Sequence, residues 1–592
     1  MRKYHSEKIR LVREEIASVK HKSRMAFMMK LLFFLAAVFL LFLHWNTGAP
    51  GMCWSGGCAI VYVAFYLWDR RLMQRIDRLE KIRKVHENEL KAMDGDFSAF
   101  DTGERFINPE HEYSFDLDIF GAGSLFNRIC RTVTGLGGER LAALLQSTAG
   151  HESEVKARQE AVREMSCKTD WSMKFLATEY TESHIRDVLL SVKKEDTEGK
   201  VFLSSRFVWI WWMPFTAFWL SLSGALLGWI PDAVPSVLFV FNLFYVGFWS
   251  KTRQKLFAET VSLRKEFAKY EVLLGKIRSE DFRSSILKSA KDRLFNDCGS
   301  ADKAFRSVSR ILSNIELRGN FIMYLVLEGL FLSDIMMIRM LLLWKRKYMS
   351  HVGGWADSIA DIDAFVSLGN YAFSHSHNAY PVVSADDSIA IEAEEVYHPF
   401  LSREKAVSND IVLKKGEMFI VTGANMAGKS TLLRTVGVNL VMANAGLPVC
   451  ASRFSFSLMQ LFSNMRTTDD LNRNISYFNA ELIRLEQLIR YCRANTYTFI
   501  ILDEILRGTN SVDKLHGSRL FLEYVMNYNV AGIVATHDLE LSKLETENSP
   551  YRNYCFEIEM AEHVVYSYKM SRGVARNMNA TYLLNKILGE IR

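Results

Sequence analysis

Residues 422–431 read TGANMAGKST. The apolar run MFIV at 418–421 leads directly into them and a helical pattern follows, so the local order is strand, glycine-rich loop, helix. A phosphate-binding loop needs that order. Glycines at 423 and 428 let backbone N–H groups turn inward, and the following helix N-terminus adds positive potential. The reading assigns Gly423, Ala424, Asn425, Met426, Ala427, Gly428, Lys429, Ser430 and Thr431 to nucleotide binding. Lys429 has the reach for the β- and γ-phosphates, and the Ser430 hydroxyl suits a magnesium ion.

Two further strand ends carry chemistry. TFIILDE at 498–504 is an apolar run closing on two acids. Asp503 is the expected second magnesium ligand, and Glu504 is the expected residue that orients and deprotonates an attacking water. GIVATHD at 532–538 ends on His537, placed to meet a γ-phosphate. Taken singly, an acidic pair is often a helix cap and a lone histidine is usually structural. Together, at successive strand ends of one α/β unit, the three predict a P-loop ATPase domain using ATP and Mg2+.

The rest of the chain is unlike a soluble enzyme. Of its 592 residues 49% are hydrophobic, the net charge is only +6, and eight cysteines show no metal-ligand spacing. Four runs approach the ~20 residues that cross a bilayer as helix: Met25–Trp45, Ala49–Trp68, Phe207–Trp229 and Pro231–Trp249. They pair as two hairpins, with tryptophans at their ends where amphipathic rings favour the interface. The first 24 residues hold eight Lys or Arg against three Glu, while the short outer turns hold no basic residue. Both termini are therefore expected in the cytosol, and a multi-pass protein in the cell membrane. Cys53 and Cys58 are expected as free thiols, because helical residues five apart point in different directions. The apolar run 321–344 contains Glu328, Asp334 and Arg339, which disfavours a fifth span, so it is expected as one helix buried in protein.

The expected organisation is a basic N-terminus (1–24), hairpin 1 (25–68), a cytosolic helical segment (69–206), hairpin 2 (207–249), a helical core (250–379) and the ATPase domain (380–592). Stripes at Leu72, Ile76, Leu79 and Ile82, and at Leu256, Leu263, Phe267, Tyr270, Leu274 and Ile277, predict amphipathic helices. The Gly- and Asp-rich stretch 94–125 reads as a linker or loop.

An ATP-driven transporter is the obvious inference and the sequence argues against it. No Leu-Ser-Gly-Gly-Gln-like segment precedes the acidic strand, and the spans hold no cluster of ionisable residues, their only Lys, Arg, Asp or Glu being Lys30 and Asp232 near their ends. The chain instead resembles the MutS family of DNA mismatch-repair ATPases. TGANMAGKSTLLRTVG with MANAGLPVCA (442–451) is similar to that family's phosphate loop and its sequel. DDL (469–471) with SYFNAE (476–481), LDEILRGTNSVD (502–513) and ATHDLEL (535–541) resemble its later motifs in order, and upstream YHPFL (397–401) looks like the His-Pro that opens its ATPase domain. LDIFGAGSLFNRICRTVTGLGGERL (117–141) looks like the start of its helical core.

The resemblance implies a homodimer of ATPase domains. Ser476 and the loop Arg507-Gly508-Thr509 would then face the partner's nucleotide, with duplex DNA as ligand through backbone contacts. This chain departs from the family in having membrane segments where the mismatch-reading and connector domains should be, and a reduced clamp region. It also has Ala406 where the family has an aromatic for adenine, three residues before Asn409. The expectation is a membrane-anchored, MutS-like ATPase of mismatch repair or DNA-damage sensing, beside the lipid bilayer and an unidentified repair-pathway protein. The alternative is a nucleotide-controlled membrane scaffold without DNA.

Overall fold

The structure is a computed structural model and describes residues 1–43, 49–178, 200–204, 207–250, 254, 267–296, 300–316, 321–466, 477–508, 510–560 and 564–576.

The chain opens with two long helices, α1 (Arg2–Leu43) and α2 (Ala49–Met93), lying antiparallel. Ile9, Ile16, Val19 and Ala26 are buried on α1 at spacings of seven, three and seven, a coiled-coil seam. Its middle packs against Leu72 and Ile76 of α2, which gives the stripe predicted there its partner. Arg13–Glu87 and Lys20–Glu80, both 3.1 Å, and Arg75–Glu15 at 2.6 Å bridge the two helices. Such exposed pairs each contribute little to stability but select the register. Lys30 is ion-paired with Asp69 at the end of the second apolar run, so its charge is matched. Cys58 is free, and the Cys53 side chain lies outside the described residues.

The stretch expected as a linker, 94–125, is irregular but packed. Leu117, Ile119 and Leu125 are fully buried. Leu117 lies so close to Gly437 of the ATPase domain that a Cβ on that glycine would sit 2.8 Å from its methyls. Hydrophobic pattern alone missed this, because the anchoring residues are spaced by turns rather than by a regular period.

Helices α3 (Gly135–Gln146), α4 (Glu152–Cys167) and α5 (Thr169–Leu176) follow. Buried Asp363 accepts from Val133 N (3.1 Å), Thr134 N (2.9 Å) and Thr134 Oγ1 (2.6 Å), holding the start of α3. Next come a π-helical turn (Val208–Trp212), α6 (Met213–Leu226) and α7 (Ala233–Phe248). Phe267, Tyr270, Leu274 and Ile277 of the second stripe are buried, whereas Leu256 and Leu263 lie outside the described residues.

The run 321–344, expected as one buried helix, is two. α8 (Phe321–Phe331) ends at Leu332, which adopts φ 47°, and the 42-residue α9 (Ser333–Ser374) begins there. The buried Glu328 carboxylate explains the break. It accepts from Ser333 Oγ (2.6 Å) and Asp334 N (3.0 Å), capping α9. α8 packs on α6 and α7, with Asn242 Nδ2 donating to Gly329 O at 2.9 Å and Trp219 Nε1 donating to Leu330 O at 3.2 Å. Gly329 permits that approach, since a Cβ there would lie 2.1 Å from the Phe239 ring.

The C-terminal unit contains a six-stranded sheet in the order β10-β9-β4-β8-β7-β6. It comprises β4 (Met418–Gly423), β6 (Gln460–Asn464), β7 (Thr498–Asp503), β8 (Val530–Ala535), β9 (Tyr551–Met560) and β10 (Val564–Arg572). All of these are parallel except β10. A smaller sheet, β1-β5-β2-β3, holds Val382–Val383, Arg453–Phe456, Ile389–Val396 and Asn409–Lys414 in that spatial order. Phe419, Val421, Phe499 and Ile501 join the main core, while Met418, Ile420, Ile500 and Leu502 join a second cluster on the opposite face. Burial on both faces is why these strands read as unbroken apolar runs. Helices α10 (Lys429–Asn444), α11 (Tyr477–Ala494) and α12 (Ser511–Val525) cover them.

Candidate nucleotide site

Strand register places the chemistry. Val421 and Asp503 both pair with Ala535, so the ends of β4, β7 and β8 stand at one level and their loops share one edge of the sheet. Asn425, Lys429, Ser430, Asp503, Glu504 and His537 converge there on a cleft of about 510 Å3. Gly423 and Gly428 have φ of 153° and 113°; at Gly428, the cap of α10, a side chain would be strained. Met426, at φ 64°, is the loop's exposed tip.

Lys429 is buried, and its ammonium donates to Gly423 O (2.9 Å) and Ala424 O (3.0 Å). Burial lowers its pKa, while Asp503 and Glu504 oppose that shift. Ser430 Oγ donates to Asp503 Oδ2 at 2.7 Å. This hydroxyl and carboxylate form the kind of hard-oxygen pair that can hold Mg2+, which would supply charge neutralisation at the phosphates.

Glu504 has φ 54°, and its Oε1 lies 2.9 Å from His537 Nε2. Lys429 Nζ lies 3.2 Å from the same nitrogen. One nitrogen cannot donate to Glu504 and also accept from an ammonium. Two carbonyls already satisfy Lys429, so we place the Nε2 proton toward Glu504. The hydrogen bond from His537, then the Arg507, His537 and Lys514 charges, hold the Glu504 carboxyl at about 2 against the opposing effect of burial. It is ionised throughout the physiological range and can align a water rather than compete for protons.

Two contributors were given no role in the sequence reading, although Glu481 closes the quoted SYFNAE motif. Buried Glu481 on α11 accepts from Arg507 N and Gly508 N, both at 3.1 Å, and so fixes the loop after the acidic pair. Arg507 thereby folds toward its own cleft, 3.3 Å from Glu504 Oε2, with Nη2 donating to Asp503 O at 2.8 Å. The family resemblance had turned it to a partner. Ser476 and Thr509, assigned to the same partner contact, lie outside the described residues. Glu481→Ala is expected to lower kcat at least about tenfold while ATP affinity changes less than about threefold, since two bonds to a charged acceptor are lost away from the phosphate loop. Steady-state kinetics beside equilibrium binding checks this, and an unchanged kcat would remove Glu481 from the site.

The second is Tyr568. It sits in a β-bulge between Tyr566 and Met570, at φ 51°. Asn409 fixes it there, donating to Tyr568 O (3.1 Å) and accepting from Met570 N (2.7 Å). Tyr568 borders both the phosphate cleft and a side pocket of about 180 Å3 lined by His398, Val407 and Phe556. His398 is neutral, with burial and then Arg434 and Arg128 lowering it to about 4. An aromatic pair in the strand VVYSYKMSR was the one visible signal; the bulge that aims it is not written in periodicity.

Residues 419–583 match the model of MutS domain V. The chain is 33% identical over 231 residues to the DNA mismatch repair protein MutS of Lachnoclostridium phytofermentans, covering 37% of this chain and 24% of that protein. It is 32% identical over 240 residues to that of Clostridium kluyveri, covering 39% and 27%. With the human MutS protein homolog 4 the identity is 29% over 236 residues, covering 38% and 24%. The chain thus spans about a quarter of the length of the curated relatives it matches. With the phosphate loop, the acidic strand end and the histidine strand end assembled on one sheet edge inside the matched segment, residues 419–583 are similar to domain V of the MutS family, its P-loop ATPase domain.

Proposed function

We propose that this protein is a membrane-anchored, dimerising ATPase whose nucleotide state controls a DNA-contacting surface in mismatch repair or damage sensing. In this reading Gly423–Thr431 and Lys429 bind the phosphates, Ser430 and Asp503 hold Mg2+, Glu504 with His537 directs water, and Tyr568 stacks on the base. Ser476 completes the site of the partner copy. The observation that carries it is the convergence of three strand ends on one cleft, inside a segment similar to DNA mismatch repair proteins.

Membrane anchoring draws on exposed apolar surface. Helix α1 is long and apolar enough to cross a membrane, with a window of mean hydropathy 2.6 that is only 6% buried. Phe39, Phe42, Leu226, Phe244 and Phe248 are all more than half exposed, which is costly in water over so large an area. The 16-residue α7 is apolar but shorter. In this reading it is the return arm of a hairpin with α6, both termini remaining cytosolic.

The test is ATP turnover by detergent-solubilised protein, alone and with homoduplex, mismatched or branched DNA, over a salt series. Stimulation with a steep loss of DNA affinity as salt rises is expected. Turnover without any DNA binding would favour the scaffold reading, which the lipid-facing surface beside α8 also suits.

A further inference from the structure

A second cleft lies at the base of hairpin 1, between α2 and the helical frame, and at about 620 Å3 it is larger than the nucleotide cleft. We propose that it binds a soluble organic phosphate of nucleotide size, independently of the ATPase reaction.

Lys81 and Lys84 enter the cleft from α2, Arg105 from the packed loop and Arg131 from the approach to α3. Arg78 and Lys276 stand beside them, and together with burial the Arg78 and Lys81 charges lower the Lys276 ammonium to about 8. Among the described residues that ammonium donates to neutral acceptors, Lys174 O at 2.6 Å and Thr178 Oγ1 at 2.7 Å. Among the described residues three carboxylates offset these six cations: Glu89 2.6 Å from Arg131, Asp101 2.9 Å from Arg105 and Asp77 2.7 Å from Lys81. The excess of positive charge matches a phosphomonoester or pyrophosphate group.

Phe100, Val133 and Leu176 add an apolar wall suited to an organic moiety. The source is soluble rather than lipid. From Trp68, where the apolar run ends, α2 extends about 20 Å to Lys81 at ~1.5 Å per residue, beyond the headgroup layer. An occupant would also bridge α2 to the frame.

The experiment is calorimetric titration of the full-length Lys429→Ala protein in detergent, first with pyrophosphate and then with ATP. One saturable site per chain is expected, weakened at least tenfold by Arg78→Glu with Lys84→Glu. Both side chains are exposed, so this reversal spares the fold. No saturation by about 10 mM ligand, or affinity unmoved by the double reversal, would overturn the proposal. So would displacement of pyrophosphate by short-chain phosphatidylglycerol but not by ATP, which would reassign the cleft to lipid. Failure of the ATPase reading has a separate signature: wild-type protein that hydrolyses no ATP while pyrophosphate binding persists.

Discussion

Lys429→Ala lowers ATP affinity at least about a hundredfold, because a charge-assisted bond contributes about 1.5–3 kcal/mol and this ammonium can make more than one to the phosphates. Its position supports so large an effect. The side chain is buried, aimed along the loop by two carbonyls, and flanked by Asp503 and Glu504. Equilibrium binding of a fluorescent ATP analogue measures the loss, with a thermal melt to show that the domain remains folded. Affinity within threefold of wild type would detach the phosphate role from this loop.

The second large effect falls on turnover rather than binding. Glu504→Gln keeps an acceptor for the His537 proton at nearly the same place but removes the negative charge. Hydrolysis should fall about 10²- to 10³-fold, the scale of a lost water-directing group, with ATP affinity preserved. An ATP-bound dimer should then accumulate, visible by light scattering on the detergent-solubilised protein. The carboxyl sits at about 2, far below neutrality, so the wild-type rate should show no inflection from this group between pH 5 and 8. Wild-type turnover by the glutamine variant would remove Glu504 from the reaction.

The nucleotide site was legible in sequence because its parts are local. Each lies within a few residues of a strand end, and glycines mark the turn. The elements that needed tertiary information were harder to read. Glu481 is a surface-pattern residue on α11 until the loop it holds arrives from 26 residues away. Tyr568 depends on a bulge fixed from β3 by Asn409. The segment 94–125 lacked period and looked like a tether, yet Asp116 and Asp118 anchor it. Asp116 accepts from Ser463 Oγ at 2.7 Å, and Asp118 pairs with Arg434 at 3.1 Å and Arg466 at 2.6 Å. The break at Leu332 hid inside a continuous apolar run, since only the folded Glu328 carboxylate reveals that a new helix starts there.

That break has a mechanical corollary. Downstream of it, 42 residues run as one uninterrupted helix from α8 and the apolar hairpin to Ser374, and the turn that follows brings Asn378 to Cys450 of the ATPase domain. At ~1.5 Å per residue this is a rod of about 63 Å, so a 5° tilt at the catalytic end sweeps the far end through roughly 5 Å. A stroke of that size equals one helical turn. It would carry a movement of the ATPase domain to the apolar helices α6 and α7 at the far end.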